Sequence, residues 1–144
     1  MSNRVVFYQR PNPSTKLRWL SLAFALGWMA TIYVLSSQPT AKLDLGFSGQ
    51  DKLLHLGAYG LLGLLCIGAL PRHTDGGYSL RQVAIAAAIA ALYGLSDEWH
   101  QSFVPGRSAD LLDLLADAAG GLLGALLGRL LSRRRIWAAF LSRQ

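Results

Sequence analysis

The chain has 144 residues, of which 52% are hydrophobic and only 15% are charged, and its formal net charge is +6. Its mean hydropathy is +0.31. This balance favours a membrane protein over a soluble domain. The positive charge does not indicate a nucleic-acid partner, because the basic residues lie at both ends of the chain and in short connections between apolar runs. We therefore predict membrane lipids as partners and no nucleic acid.

Four apolar runs follow one another, at residues 17–35, 53–70, 83–95 and 111–131. A transmembrane helix needs about 20 apolar residues, so the first, second and fourth runs are long enough to cross a bilayer. The third run is short, and we expect its tail through Trp99 to be helical and shielded by protein. The sequence predicts an all-α membrane protein with four transmembrane helices in one compact bundle.

The basic residues predict the orientation of the bundle. With four spans, both termini share a side with the connection that holds Arg72 and Arg81, and that side collects eleven of the fourteen basic residues. The positive-inside rule places both termini in the cytoplasm. The chain then divides into a cytoplasmic segment at 1–16, a membrane domain at 17–131 and a basic cytoplasmic or interfacial tail at 132–144.

Two of the predicted helices carry ionisable stripes. In the second, Asp51, His55 and Tyr59 are spaced i, i+4, i+8 and share one face. The fourth has acidic residues spaced i, i+3, i+7, and the same stripe continues as glycines: Asp110, Asp113, Asp117, Gly120, Gly124 and Gly128. A glycine stripe of this kind normally packs against another helix, so the aspartates are expected to face into the bundle.

The depth of Asp117 makes its environment informative. It lies roughly 13 Å along the fourth helix from Ser108, near the middle of a hydrocarbon core of about 30 Å. An isolated charge there would cost at least ~2.5 kcal/mol, so Asp117 needs a partner, a proton or water. The sequence offers His55 and Arg107 as partners. Asp110 and Asp113 lie in the first turns, where the helix dipole favours anions.

A third ionisable segment joins the third and fourth helices. It contains Glu98, His100 and Gln101, followed by a Pro-Gly turn and Arg107. Together with the two stripes, this segment resembles the VanZ-like family, which is named for a membrane protein associated with teicoplanin resistance. The resemblance rests on Asp-Lys-x-x-His at 51–55 with a later Tyr, on Ser-Asp-Glu-x-His-Gln at 96–101, and on Pro-Gly-Arg at 105–107 before the aspartates. It implies a bacterial inner-membrane protein with a function linked to the cell envelope.

Three function classes fit these residues. The first is an enzyme, a hydrolase or transferase, that acts on a lipid-linked anionic substrate at the outer leaflet. Its catalytic candidates are His55, Glu98, His100, Asp51 and Asp113. Its substrate-binding candidates are Arg107, Gln101, Tyr59, Asp110 and Asp117. The second class is a non-catalytic binder of a lipid carrier, or a transporter, which would need to oligomerise. The third is a structural or regulatory membrane subunit.

Each candidate also has a purely structural reading. Asp51 could be the N-cap of its helix. His55 could be a hydrogen-bonded core residue, Glu98 and His100 could lie in a solvated loop, and Arg107 could simply pair with an aspartate. A divalent metal ion as cofactor is left open, because the histidines and carboxylates suit one but no closely spaced histidine pair is present.

Overall fold

The computed structural model describes residues 13–39, 49–72 and 77–141, with side chains at 15–39, 49–72 and 77–133. Within these ranges the chain is all helical and contains no strand, as predicted. The four helices are α1 (Pro13–Ser36), α2 (Gln50–Ala69), α3 (Leu80–Gln101) and α4 (Leu111–Leu141). Most of the predicted N-terminal segment at 1–16, and the side chains of most of the predicted tail at 132–144, lie outside the described residues.

Three of the helices are long and apolar enough to cross a membrane, over Thr15–Ser36, Gln50–Ala69 and Leu111–Arg133. Their outer surfaces carry large apolar side chains such as Phe24 and Leu111, which are 67% and 70% exposed. So much exposed apolar surface on a small chain is typical of contact with lipid. α3 is equally long but is not among the three, and it contains the predicted helical tail through Trp99, since it ends at Gln101.

α2 and α4 make the most extensive helix contact of the bundle. Their backbones touch through glycines: a Cβ atom at Gly124 would overlap the carbonyl oxygen of Gly60, and one at Gly63 would overlap the backbone of Gly121. Small residues allow this close approach, which gains dispersion energy where lipid offers no hydrophobic driving force. The predicted packing of the α4 glycine stripe against another helix is therefore confirmed.

Side chains that hydrogen-bond to neighbouring backbones attach α1 to α2 and α3 to α1. Trp28 Nε1 of α1 donates to the carbonyl oxygen of Ala58 at 2.8 Å. Tyr93 of α3 donates its hydroxyl to the carbonyl oxygen of Met29 at 2.6 Å. Trp28 and Tyr93 also pack against the apolar core, which includes the fully buried Leu62. Both anchoring residues are amphipathic aromatics, which can bury a ring and still satisfy one polar atom.

The helix ends follow local capping chemistry. Ser79 and Gln82 form a reciprocal capping box at the start of α3. Asp110 accepts the backbone N–H of Leu112 at 2.8 Å, as an N-cap of α4 does. α2 instead begins after Gly49, whose φ of 81° needs a residue without a Cβ. The N-cap reading of Asp51 is thus corrected: Asp51 lies inside the first turn.

Candidate functional site

A lysine of α2 is surrounded by carboxylates from α2 and α4. Lys52 Nζ lies 2.6 Å from Asp110 Oδ2 and 2.6 Å from Asp113 Oδ1. It also lies 3.0 Å from Oδ2 of the preceding residue, Asp51. The Lys52 ammonium, hydrogen-bonded to Asp110, holds the pKa of that carboxyl below its usual value. Lys52 therefore joins the first turn of α2 to the start of α4.

One turn further along α2, a histidine meets the deepest aspartate. His55 Nδ1 lies 2.9 Å from Asp117 Oδ1, and His55 Nε2 lies 4.0 Å from Asp113 Oδ2. Asp117 is fully buried. Of the two partners that the sequence offered for this aspartate, the structure brings His55 to it, which supplies the hydrogen bond that a carboxylate at this depth requires.

α3 contributes a third side chain to the same place. Glu98 is 4% exposed, and its Oε2 accepts the backbone N–H of Asp110 at 2.7 Å. Ligand atoms of His55, Glu98 and Asp117 all lie within 4.8 Å of one another. Three helices thus meet in one group of ionisable residues, which we call the charged cluster: Lys52, His55, Glu98, Asp110, Asp113 and Asp117.

Exposure falls steadily from the helix ends toward the bundle interior. The side chain of Asp110 is 39% exposed, that of Lys52 is 27%, that of Asp113 is 13% and that of Asp117 is 0%. Asp51, at the rim, is 57% exposed. The charged cluster is therefore open where α2 and α4 begin and closed at Asp117.

Aromatic residues close the cluster from below. The Tyr59 ring lies parallel to that of His55, with their planes 2° apart and their centroids 6.3 Å apart. Tyr59 is 1% exposed, and its other ring neighbour is Tyr93 of α3, at 6.3 Å. Gly94 stands against Asp117, where a Cβ would crowd the carboxylate. On this side the charged cluster is thus bounded by packed aromatic rings and by the backbone of α3.

A second polar group lies at the end of α3. Asp97 Oδ2 accepts from Gln101 Nε2 at 2.9 Å, and Gln101 Oε1 accepts from Arg107 Nη1 at 3.0 Å. Arg107 Nε also donates to the carbonyl oxygen of Gln38, just beyond α1, at 3.0 Å. Gly106, with φ of 80°, forms the turn that brings Arg107 back. These contacts tie the α3–α4 loop to the end of α1.

The predicted candidates therefore divide among three locations. His55, Glu98, Asp110, Asp113 and Asp117 meet in the charged cluster, Asp51 lies at its rim and Tyr59 beneath it. Gln101 and Arg107 belong to the second group. His100 faces α1, where its Nε2 lies 3.0 Å from Ser37 Oγ and its ring is 4.6 Å from that of Tyr33.

Two residues of these groups were not among the candidates from sequence. Lys52 is the cation of the cluster, and Asp97 is 4% exposed at the base of the second group. Both stand beside residues that were named, inside the Asp-Lys-x-x-His and Ser-Asp-Glu-x-His-Gln patterns. A search for a countercharge to Asp110 and Asp113 would have found Lys52.

Over the described residues, these features define an all-helical protein that has three helices long and apolar enough to cross a membrane and a charged cluster held between α2, α3 and α4. The VanZ/LLP1 family model matches residues 5–132, which is most of the chain. The chain belongs to this family, so the resemblance seen in the motifs is confirmed. Searches among curated proteins and among solved structures gave no match.

Proposed function

We propose that this protein is a bacterial inner-membrane protein with four transmembrane helices that acts on a phosphate-bearing, anionic lipid of the cell envelope at the outer face. One observation carries the proposal: the charged cluster lies between apolar helices and opens at their ends. Lipid headgroups meet a protein at that level of the bilayer. A soluble substrate would not need a site surrounded by lipid-facing helices.

The proposal takes α3 as the fourth span. Its 22 residues extend about 33 Å, enough for a hydrocarbon core of ~30 Å. Its outer face is apolar and exposed, with Leu92 at 66% and Leu95 at 53%. Its acidic residues Asp97 and Glu98 are buried against protein, which is where a spanning helix keeps them.

The proposal also takes both termini as cytoplasmic, following the eleven basic residues on that side. The open end of the cluster then faces outward. Beside it, Trp99 and Phe103 are 68% and 69% exposed and stack edge to face with centroids 5.3 Å apart. Aromatic side chains of this kind concentrate at the membrane interface, which supports a headgroup-level position for the cluster.

The chemistry of the cluster suits a hydrolase or transferase. His55 is held by Asp117 through Nδ1, in the way that a histidine is oriented for proton transfer. Asp113 and Glu98 add carboxylates nearby, and Lys52, near the opening, offers positive charge to a phosphate. A lipid-linked phosphate entering from the membrane would approach Lys52 first and His55 after it.

A non-catalytic lipid binder is the second candidate. Lys52 and Glu98 both bind Asp110 at the start of α4, so these two residues already have a structural role that requires no catalysis. One experiment separates the classes. Purified protein in detergent is mixed with a polyprenyl phosphate or with the matching polyprenol, and native mass spectrometry follows binding and product. An enzyme converts the phosphate lipid, a binder retains it unchanged, and a structural subunit distinguishes neither lipid. The last result would overturn the proposal.

The family resemblance suggests a cellular readout, namely teicoplanin susceptibility. His55→Ala and Glu98→Gln should remove any protection that the wild-type gene gives, while the proteins remain at wild-type levels in the membrane. Arg81→Gln, an exposed change at the other end of α3, is the matched control. Wild-type protection in both cluster variants would mean that the charged cluster is not needed for the phenotype.

A further inference from the structure

We propose that His55, Glu98 and Asp117 bind a divalent transition-metal ion, with Zn²⁺ and Mn²⁺ as the ions that best fit the donor set. Each residue offers a ligand atom, and the three atoms lie within 4.8 Å of one another. One imidazole and two carboxylates are ligands that these ions accept, and three protein ligands leave a coordination position for an exogenous group.

The carboxylates have unused oxygens at this point. Glu98 Oε1 and Asp117 Oδ2 are fully buried and have no hydrogen-bond partner among the described residues. The residues themselves are 4% and 0% exposed. Buried carboxylate oxygens are otherwise nearly always hydrogen-bonded, because an unpaired one loses its hydration without compensation. Two such oxygens, on residues of two different helices whose ligand atoms lie within 4.8 Å of each other and of the His55 imidazole, point to a cation.

The charge balance of the cluster also indicates a bound cation. Four carboxylates, on Glu98, Asp110, Asp113 and Asp117, face one ammonium and one imidazole. When all four carboxylates are ionised, at least two negative charges lack a cation even with His55 protonated. Within a bilayer this imbalance is costly, and a divalent ion removes it.

The three proposed ligands have neighbouring groups that orient them, as the ligands of protein metal sites usually do. Glu98 is oriented by the backbone N–H of Asp110, which occupies its other oxygen. Asp113 Oδ2 lies 4.0 Å from His55 Nε2 and adds negative charge beside the imidazole. Ligands whose second atom is held by protein bind metals more tightly, because less freedom is lost on binding.

The metal site deepens the proposed function, and this part of the inference rests on it. Lys52 offers positive charge at the opening, but it already contacts three carboxylates, so the excess negative charge of the cluster opposes the entry of an anionic headgroup. A bound divalent ion with an open position would instead accept a phosphate oxygen directly. Lipid binding should then require the ion, whereas ion binding should not require the lipid.

The test uses full-length protein with any affinity tag removed. After treatment with EDTA, the protein is titrated with Zn²⁺ or Mn²⁺ in detergent, and bound metal is counted by elemental mass spectrometry and by the Mn²⁺ electron paramagnetic resonance signal. We expect one ion per chain. Glu98→Gln, which keeps an acceptor for the Asp110 N–H, should weaken binding at least tenfold, and His55→Gln should do the same.

Arg81→Gln is the control, since it changes an exposed side chain at the other end of α3 and should leave metal affinity unchanged. Circular dichroism establishes that each protein is folded. Folded wild-type protein that retains no ion, or Glu98→Gln with wild-type affinity, would overturn the metal site. Metal binding without any lipid binding would leave the site standing and overturn the proposed function instead.

Discussion

His55 and Asp117 meet between α2 and α4, with Nδ1 and Oδ1 2.9 Å apart and the aspartate wholly enclosed. The two residues are 62 positions apart in the chain. Their contact links the two most closely packed helices at the closed end of the charged cluster, so it reports on both packing and charge.

This pair should be energetically coupled. His55→Ala leaves the Asp117 carboxylate enclosed without its partner, and we expect the free energy of unfolding to fall by about 3–5 kcal/mol. The double variant with Asp117→Asn should lose less than the sum of the single changes, by on the order of 0.5–3 kcal/mol. Denaturation of the metal-free protein in mixed detergent micelles measures all four corners of the cycle. Strictly additive losses would mean that the contact contributes nothing.

The glycine contact can be tested with one added methyl group. Gly124→Ala forces a Cβ against the backbone of Gly60, so we expect a loss of at least 1–3 kcal/mol and a lower melting temperature. Gly57→Ala is the matched control on α2, where a Cβ meets nothing within 4 Å. That change should be neutral or stabilising by up to about 1 kcal/mol through helix propensity. Equal effects at the two positions would contradict the packing described.

Arg107 should stabilise the α3–α4 loop in the ligand-free protein. Arg107→Lys keeps the charge but loses the forked contacts to Gln101 and to the Gln38 carbonyl, so we expect a loss of about 1–3 kcal/mol. Amides at 102–109 should exchange faster with deuterium. Arg81→Lys provides the control. Unchanged exchange combined with weaker lipid binding would instead identify Arg107 as a ligand to the substrate.

Cysteine labelling tests the orientation. In a background with Cys66→Ala, Ser102→Cys should react with a membrane-impermeant maleimide added to intact spheroplasts. Arg81→Cys, at the other end of α3, should react only after lysis. Both positions are exposed. The reverse pattern would place the open end of the charged cluster on the cytoplasmic side. The proposed site would then act at the inner face of the membrane.

The stripes were predictable because helical geometry is local. Residues spaced i, i+3 and i+4 share a face whatever the tertiary fold, so Asp110, Asp113 and Asp117 could be placed together from their numbers. The glycines below them predicted which way the face points. The metal-capable trio could not be assembled in this way, since it needs the positions of three helices at once.

His100 illustrates what the sequence left unresolved. It stands two residues after Glu98, which suggested a shared site, but positions i and i+2 point to different sides of a helix. Because α3 continues through Gln101, Glu98 turns to the charged cluster while His100 turns to Ser37 of the α1 end. Lys52 could have been found by seeking a countercharge for Asp110 and Asp113, but its contact with them depends on the starts of α2 and α4 lying together.

The glycine contact between α2 and α4 also determines which side chains of the two helices can touch. Aspartate has the shortest charged side chain, so Asp117 can touch His55 only while the backbones of α2 and α4 lie close together. A small outward tilt of α4 would separate these groups without altering any of them. The distance between α2 and α4 therefore sets the distances within the charged cluster, and a change in that distance alone would alter every contact between the two helices in it.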